Sequence, residues 1–263
     1  MAEQSPALTY SSYLALDEIL GAQRPRSEEH DELLFIVIHQ VYELWFKQLL
    51  HELAYMQMRL ERNEGARALA TVRRVLTILK TIVAQIDVLE TMTPSQFASF
   101  RTRLDSASGF QSGQFRELEA VLGRRDPAML TVYGEDSDAY RRIAAAMGRR
   151  SLYDSFVRYL AGGGYAVPRG ALERDVTAPV APDPGVQRAI LAAYRDDGEA
   201  AQMAERLVDV DEGTQEWRYR HVKMVERTIG DKAGTGGSSG ARYLRQTLFR
   251  PSFPDLWAVR SEL

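Results

Sequence analysis

Residues 35–47 read Phe-Ile-Val-Ile-His-Gln-Val-Tyr-Glu-Leu-Trp-Phe-Lys, and their apolar positions recur with the period of a helix. This pattern predicts the first half of a long buried helix. Phe35 and His39 are four residues apart, so they lie one turn apart on the same helix face. We expect this face to form the roof of a ligand cavity, with His221 holding a cofactor from the other side.

Helical periodicity also dominates the rest of the chain. A second long helix is predicted over about residues 64–91, and a third helical segment begins near Ala200 and stops at Gly230. Thr93-Pro94 is typical of a helix start, with Thr93 as the N-cap. No convincing strand alternation and no internal repeat occur, so the predicted class is all-α. We expect residues 1–263 to form a single large helical domain built on long core helices.

The two ends of the first long helix are predicted from local signals. Ser27 followed by acidic residues is typical of an N-cap, and the helix is expected to span residues 27–63. Before it, residues 1–20 carry Tyr10 and Tyr13 in a short amphipathic segment. Two tyrosines so close to a terminus favour a segment that docks, so we expect it to pack on a neighbouring subunit.

Composition limits the classes of partner. The 263 residues carry a formal net charge of −3, and no basic excess argues for nucleic acid or an anionic membrane surface. No apolar run is expected to be long enough to span a bilayer, and residues 1–6 lack the start of a signal peptide. The predicted location is the cytoplasm.

The chain contains no cysteine, which excludes disulfides, thiolate nucleophiles and cysteine-ligated metals. Metal chemistry must therefore use His, Asp, Glu or a cofactor. The four histidines are His30, His39, His51 and His221. No HExxH or His-x-His spacing occurs, so a chelated non-haem metal is not favoured.

Two histidines carry functional hypotheses. His39 is either a satisfied core histidine or a hydrogen-bonding group that lines a cavity beside Phe35. His221 lies on one stripe with Trp217 and Val225, among cationic residues. It is either a partly exposed histidine on a basic helix face or a single axial ligand of haem iron. The neighbouring cations are either solvated or paired with haem propionates.

Two other segments are candidates for substrate binding. Arg101 follows Phe97 and Phe100 in a short predicted helix, and it is either a surface arginine or a bidentate clamp on a carboxylate. Residues 234–240 read Gly-Thr-Gly-Gly-Ser-Ser-Gly. They follow a helix and lack the lysine of a P-loop, so they are expected to approach a ligand closely or to close as a lid.

Seven motifs carry a resemblance to a known family, and they cover nearly the whole chain. They are residues 10–17, 30–35, 39–47, 100–101, 108–112, 220–221 and 234–240. In these motifs the chain resembles the tryptophan 2,3-dioxygenase family. The resemblance implies an all-helical homotetramer with haem b, in the ferrous state when active. It also implies insertion of both atoms of O2 across the indole C2–C3 bond of L-tryptophan, giving N-formylkynurenine in tryptophan breakdown.

The same resemblance implies roles for individual residues. His221 looks like the proximal haem ligand, and His39 looks like the distal residue that accepts the indole N–H. Phe35 would wall the indole pocket, Arg101 would pair with the substrate carboxylate, and Thr235 would hold the ammonium and carboxylate end. The remaining family pocket positions are Phe97, Ser108 and Gly234, together with Tyr10, Tyr13 and Leu14 from a neighbouring subunit.

Four positions depart from the family pattern: Asp105, Gly113, Asp231 and Ala233. They leave open a haem mono-oxygenase that makes an oxindole from tryptophan or from a substituted tryptophan in secondary metabolism. A third hypothesis, from a different class, is a helical binding or scaffold protein that keeps the fold without haem. The joint presence of His39, Arg101 and His221 argues against this third hypothesis.

Overall fold

The computed structural model describes residues 7–235 and 240–263. Numbered along the chain, the α-helices are α1 (Tyr10–Leu14), α2 (Leu16–Leu20), α3 (His30–Glu61), α4 (Gly65–Leu89), α5 (Pro94–Arg101), α6 (Gly113–Leu122), α7 (Asp138–Met147), α8 (Leu152–Gly162), α9 (Arg169–Leu172), α10 (Pro184–Asp196), α11 (Glu199–Ile229), α12 (Ala241–Arg245) and α13 (Pro254–Ala258). Short 3-10 turns cover Gly109–Gln111, Pro127–Met129 and Val259–Ser261. Within the described ranges no β-strand occurs, which confirms the predicted all-α class.

Helix α4 lies between α3 and α11 and packs against both. Its buried side chains include Val72, Val75, Leu79, Ile82 and Ile86, which recur every three or four residues. This spacing aligns them in one stripe along the helix. Burying each such side chain contributes about 1.5–3 kcal/mol relative to leaving it in water. The three long helices therefore form the frame that holds the other elements.

Helix α3 buries only part of the wide apolar arc that its sequence predicts. Tyr42, Phe46 and Leu49 are buried against the core, whereas Leu33 and Leu44 are half exposed. By length and composition alone α3 is apolar enough to cross a membrane, which differs from the expectation that no such run exists. The core helix of a soluble protein passes the same test, and α3 packs along α4, α6 and α8.

The predicted start of α3 at Ser27 is wrong, because the helix begins at His30. The Ser27 hydroxyl instead donates to the Glu32 carboxylate, which also accepts the backbone N–H groups of Arg26 and Ser27, each at 2.8 Å. Glu32 thus folds the preceding turn back onto the first turn of the helix. The N-cap residue, Glu29, makes no side-chain capping bond.

The predicted start of α5 is confirmed. The Thr93 side chain accepts the Gln96 backbone N–H, and the Gln96 side chain accepts the Thr93 N–H in return. This reciprocal pair satisfies two of the donors that a helix start leaves free. Pro94 occupies the first turn, where its missing N–H costs nothing.

The predicted docking segment contains α1 and α2, and neither helix has a buried residue within the single chain. A reciprocal capping pair between Thr9 and Ser12 starts α1. Residues 1–6 of this segment, which the sequence predicts to lack a signal-peptide start, lie outside the described residues. Residues 236–239 of the glycine-rich loop also lie outside them.

Candidate active site

One cavity is lined by both candidate histidines, His39 and His221. It lies among α3, α5, α6 and α11 and is closed by the loops around residues 104–112 and 234–235. Eight of the predicted site residues line it: Phe35, His39, Phe97, Arg101, Ser108, His221, Gly234 and Thr235. Positions that are up to 200 residues apart in sequence therefore share one chamber.

His39 is oriented by its own helix. Its Nδ1 lies 2.7 Å from the Phe35 carbonyl oxygen. A carbonyl can only accept, so Nδ1 carries the proton and Nε2 keeps its lone pair in the neutral ring. Burial lowers the pKa of His39, although the Phe35 carbonyl and Glu43 raise it. The side chain is therefore a neutral acceptor on the cavity wall.

Aromatic rings form the wall beside His39. The Phe35 ring centroid lies 4.1 Å from that of His39 and 5.6 Å from that of Phe97. Phe100, which is fully buried, meets both phenylalanines edge-on or nearly so, at 5.7 Å and 5.4 Å. This is the geometry that aromatic pairs prefer. The α3–α5 contact therefore gives the cavity a rigid apolar side that suits a flat aromatic ligand.

His221 lies on α11 and faces the same cavity as His39. Its ring stacks on Trp217, with centroids 5.1 Å apart and planes 4° from parallel. Burial, with smaller effects from His39 and Arg116, lowers the pKa of His221 to about 4. The imidazole is therefore neutral near pH 7 and offers a nitrogen lone pair, which is the form that ligates iron.

A cluster of three or more His, Asp or Glu that could hold a metal ion does not occur in residues 7–235 or 240–263. A metal ion bound by His221 would therefore take its remaining ligands from a cofactor. Two of the cations beside His221 point elsewhere: Arg220 pairs with Asp87 at 2.6 Å, and Lys223 pairs with Glu226 at 2.9 Å. Neither cation lines the cavity.

Arg101 and Thr235 hold two loops together at the cavity mouth. An Arg101 Nη donates to the Ala233 carbonyl at 2.5 Å, and the Thr235 hydroxyl donates to the Ala107 carbonyl at 2.6 Å. Gly240 closes the far end of the glycine-rich loop with φ = 61°, and a Cβ there would lie 2.5 Å from the Lys232 carbonyl oxygen. Only glycine fits such a position without strain.

A buried ion cluster at the cavity was not foreseen from the sequence. Arg116 on α6 and Arg218 on α11 both line the cavity, and both donate to Glu119, at 2.7 Å and 2.8 Å. Arg124 adds a third guanidinium at 2.9 Å. Burial alone would raise the pKa of Glu119, but Arg218, Arg116 and Arg124 together hold it below its ordinary value. The i,i+3 pair of Arg116 and Glu119 amid apolar neighbours was the available signal.

Comparison with known proteins identifies the family of the chain. The family model described as tryptophan 2,3-dioxygenase matches residues 1–145 and 185–263. The chain belongs to the tryptophan 2,3-dioxygenase family. A relative of that name from Anaeromyxobacter sp. (strain K) is 68% identical over 98% of this chain and 97% of the relative. Those from Herpetosiphon aurantiacus and Caulobacter vibrioides are 58% and 45% identical, over 98% and 97% of this chain and 100% and 98% of their own lengths.

The four departures from the tryptophan 2,3-dioxygenase pattern lie outside the cavity lining. A Cβ on Gly113 would lie 2.8 Å from the Ala139 Cβ, so close packing of α6 on α7 requires glycine there. Asp105 is exposed in a left-handed turn with φ = 48°. Asp231 is exposed, and Ala233 contributes only its backbone carbonyl, which accepts the hydrogen bond from Arg101. Packing and turn geometry therefore account for Gly113 and Asp105.

Three family pocket positions do not reach the cavity within one chain. Tyr10 and Tyr13 on α1 are 75% and 72% exposed, and Leu14 ends the same helix without being buried. None of the three lines the cavity. The stretch without a family match, residues 146–184, also contributes nothing to the cavity lining.

Proposed function

We propose that this chain is a haem-dependent dioxygenase that inserts both atoms of O2 across the indole C2–C3 bond of L-tryptophan to give N-formylkynurenine. The observation that carries the proposal is the pairing of His39 and His221 across one apolar cavity. Relatives that are up to 68% identical over nearly the full chain bear the name of this activity. The role expected from this reaction is tryptophan catabolism.

The residues of the cavity suit an amino acid with an indole ring. Phe35 and Phe97 supply flat apolar surface, and Nε2 of His39 is the acceptor for the indole N–H. A neutral acceptor is sufficient here, because the ring has only to be oriented. We assign these side chains to positioning, which is the main contribution that a protein makes in cofactor chemistry.

The charged end of the substrate would bind at the cavity mouth. Arg101 has five N–H donors in a planar fork, and one bond to the Ala233 carbonyl leaves others for a carboxylate. Thr235, Gly234 and Ser108 border the same region. Because Arg101 and Thr235 already join the two loops, a carboxylate bound there would strengthen loop closure and keep water out.

The donor set of the cavity fits haem. His221 offers one neutral imidazole, and apolar side chains dominate the walls. The buried Nε of Arg218 has no hydrogen-bond partner among the described residues. We therefore propose haem b, with His221 as the axial ligand. When bound in the ferrous state, haem supplies the activation of O2.

We further propose that the chain acts as one helical domain, residues 1–263, within a homotetramer. The exposed tyrosines of α1 and the half-exposed Leu33 and Leu44 of α3 form apolar surface that a neighbouring subunit would bury. Tyr10, Tyr13 and Leu14 would then complete the pocket of that neighbour. The cytoplasmic location and the lack of nucleic-acid and membrane partners stay predictions.

The haem mono-oxygenase is not favoured, because the relatives bear the name of the dioxygenase and the departing positions lie outside the cavity lining. The decisive measurement is the mass of the product formed from L-tryptophan and isotopically labelled O2 by the reduced, haem-loaded protein. We expect N-formylkynurenine with two labelled oxygens. One labelled oxygen on an intact oxindole would establish the mono-oxygenase instead.

Cofactor ligation has its own test. His221→Ala should abolish haem retention. His39 is the other imidazole in the described cavity lining, and we do not expect it to replace His221 because its Nδ1 is bound to the Phe35 carbonyl. The matched control is His51→Ala, since His51 is exposed on α3 and lies outside the cavity lining. Haem absorbance after purification measures both variants. Full occupancy in His221→Ala would refute the ligand assignment and point to a different iron ligand, whereas a wild-type chain that binds no haem would favour the scaffold hypothesis.

A further inference from the structure

Two arginines that line the cavity bind the same buried carboxylate. Arg116 comes from α6 and Arg218 from α11, and each is less than 10% exposed. They are joined through Glu119, which is 2% exposed. Oε2 of Glu119 accepts from Arg116, and Oε1 accepts from Arg218. One carboxylate therefore fixes the positions of both cations, which come from helices about 100 residues apart.

The cluster has donors left over. Arg218 uses an Nη to reach Glu119, and its Nε is buried without a hydrogen-bond partner among the described residues. The buried indole N–H of Trp217, which also lines the cavity, likewise has no partner among the described residues, whereas the unpartnered atoms of Arg59, Tyr133 and Tyr194 belong to residues outside the lining. A buried unpaired donor is costly, and next to a cavity its simplest partner is a ligand acceptor.

The cluster also carries excess charge. Three guanidinium groups, from Arg116, Arg124 and Arg218, bind one carboxylate, that of Glu119. Asp126, which does not line the cavity, pairs with Arg124 at 3.3 Å, so three guanidinium groups and two carboxylates leave one positive charge in excess. Arg116 and Arg218 both line the cavity and share the Glu119 carboxylate as their one ion-pair partner among the described residues, so each can bind a further carboxylate of a ligand.

We propose that Glu119 is a positioning residue that holds Arg116 and Arg218 ready to bind the two carboxylates of haem. The inference rests on the proposed function, because it requires haem in the cavity. Glu119 itself has both oxygens occupied by guanidinium donors, so it acts through the two arginines and does not touch the cofactor.

The experiment compares two ligands that differ only at these carboxylates. Apoprotein is titrated with ferric haem and with haem dimethyl ester in the same solvent, and the Soret absorbance reports binding. Iron ligation and ring burial are common to both, so the affinity ratio isolates the carboxylates. The wild-type chain should bind haem at least about tenfold more tightly than the ester, since charge-assisted hydrogen bonds contribute that much or more.

Glu119→Asp keeps the charge and shortens the side chain by one methylene. It should lower the affinity ratio by about tenfold, because a shorter carboxylate cannot reach guanidinium groups on two helices at once. The matched control is Glu117→Asp, which makes the same change on the side of α6 that faces α7, where Glu117 pairs with Arg142 outside the cavity lining. The control should leave the ratio unchanged.

Each outcome separates the hypotheses. If the wild-type chain binds neither ligand, the proposed function fails together with this inference. If it binds haem and ester equally, or if Glu119→Asp keeps the wild-type ratio, only the inference fails. Should Glu119→Asp not fold, Arg116→Lys and Arg218→Lys decide, since a lysine cannot bridge Glu119 and a second carboxylate in the fixed fork of an arginine. An unchanged ratio in both lysine variants would refute the proposal.

Discussion

Glu119 and Asp211 are both buried carboxylates on core helices, 2% and 1% exposed, yet their surroundings differ in kind. Glu119 accepts hydrogen bonds from three charged guanidinium groups. Asp211 accepts from neutral donors: the backbone N–H groups of Ser252 and Phe253, and the Trp257 indole N–H at 2.8 Å.

The difference separates an incomplete polar cluster from a complete one. The donors that Asp211 accepts from all belong to the C-terminal segment, so this carboxylate docks residues 252–257 onto α11. The cluster around Glu119 keeps a surplus of charge and an unused donor, Nε of Arg218, beside the cavity. Excess positive charge and an unpaired donor beside a cavity indicate a ligand-binding role, whereas a carboxylate with all its donors supplied by the protein indicates a structural role.

The largest loss of stability is expected from Glu119→Gln. It leaves three guanidinium groups without their buried counter-charge, which should lower the free energy of unfolding of the apoprotein by about 4 kcal/mol near pH 7. Urea unfolding followed by circular dichroism measures this loss. Glu64→Gln is the control: it removes a partly exposed partner of Arg59 and Arg67, and solvent screening should keep its cost far below that of Glu119→Gln.

The effect of Glu119→Gln should depend on pH with a defined sign. Burial opposes ionisation, but the arginines hold the pKa of Glu119 in the folded protein below the ordinary value of 4.5. A lowered pKa stabilises the fold above the unfolded value and ceases to do so as pH falls through the folded value. The gap between wild type and variant should therefore be constant from pH 7 to 5 and shrink below 4.5. A constant gap down to pH 3 would show that charge is not its source.

A smaller loss is expected from Asp211→Asn. The amide keeps the size of the side chain but replaces a charged acceptor by a neutral one and turns an NH2 group toward N–H donors. We expect the free energy of unfolding to fall by about 2 kcal/mol. Haem affinity of the folded variant should stay within about twofold, because Asp211 lies outside the cavity lining. A tenfold change in haem affinity would break the distinction between docking and ligand-binding carboxylates.

Local sequence signals predicted the frame of the molecule and one side of the cavity. The period of apolar residues located α3, α4 and α11, because a helix alone can bury a stripe with that spacing. The ring contact between Phe35 and His39 follows from their four-residue spacing. The capping signal at Thr93 was read correctly. The similar signal at Ser27 was misread as an N-cap, because the Ser27 hydroxyl donates to the Glu32 carboxylate.

Long-range contacts are what the sequence could not give. Glu119 and Arg218 lie 99 residues apart, and nothing local to either marks the other as its partner. The cations adjacent to His221 were the candidates for ligand carboxylates, yet Arg220 turns outward to Asp87 while Arg218 turns inward. Two positions along a helix rotate a side chain by about 200°, so which arginine faces the cavity depends on how α11 packs.

The smallest effect is expected from Trp257→Phe, and it tests how the docking carboxylate works. The change removes the indole N–H that donates to Asp211 at 2.8 Å and keeps an aromatic ring on a position that is 37% exposed. Loss of one hydrogen bond to a charged acceptor should lower the free energy of unfolding by about 1.5 kcal/mol. In the Asp211→Asn background the same change should cost less, because the charged acceptor is already gone. Equal costs in both backgrounds would mean that the indole contributes through packing, and Asp211 would then dock the C-terminal segment through its two backbone donors alone.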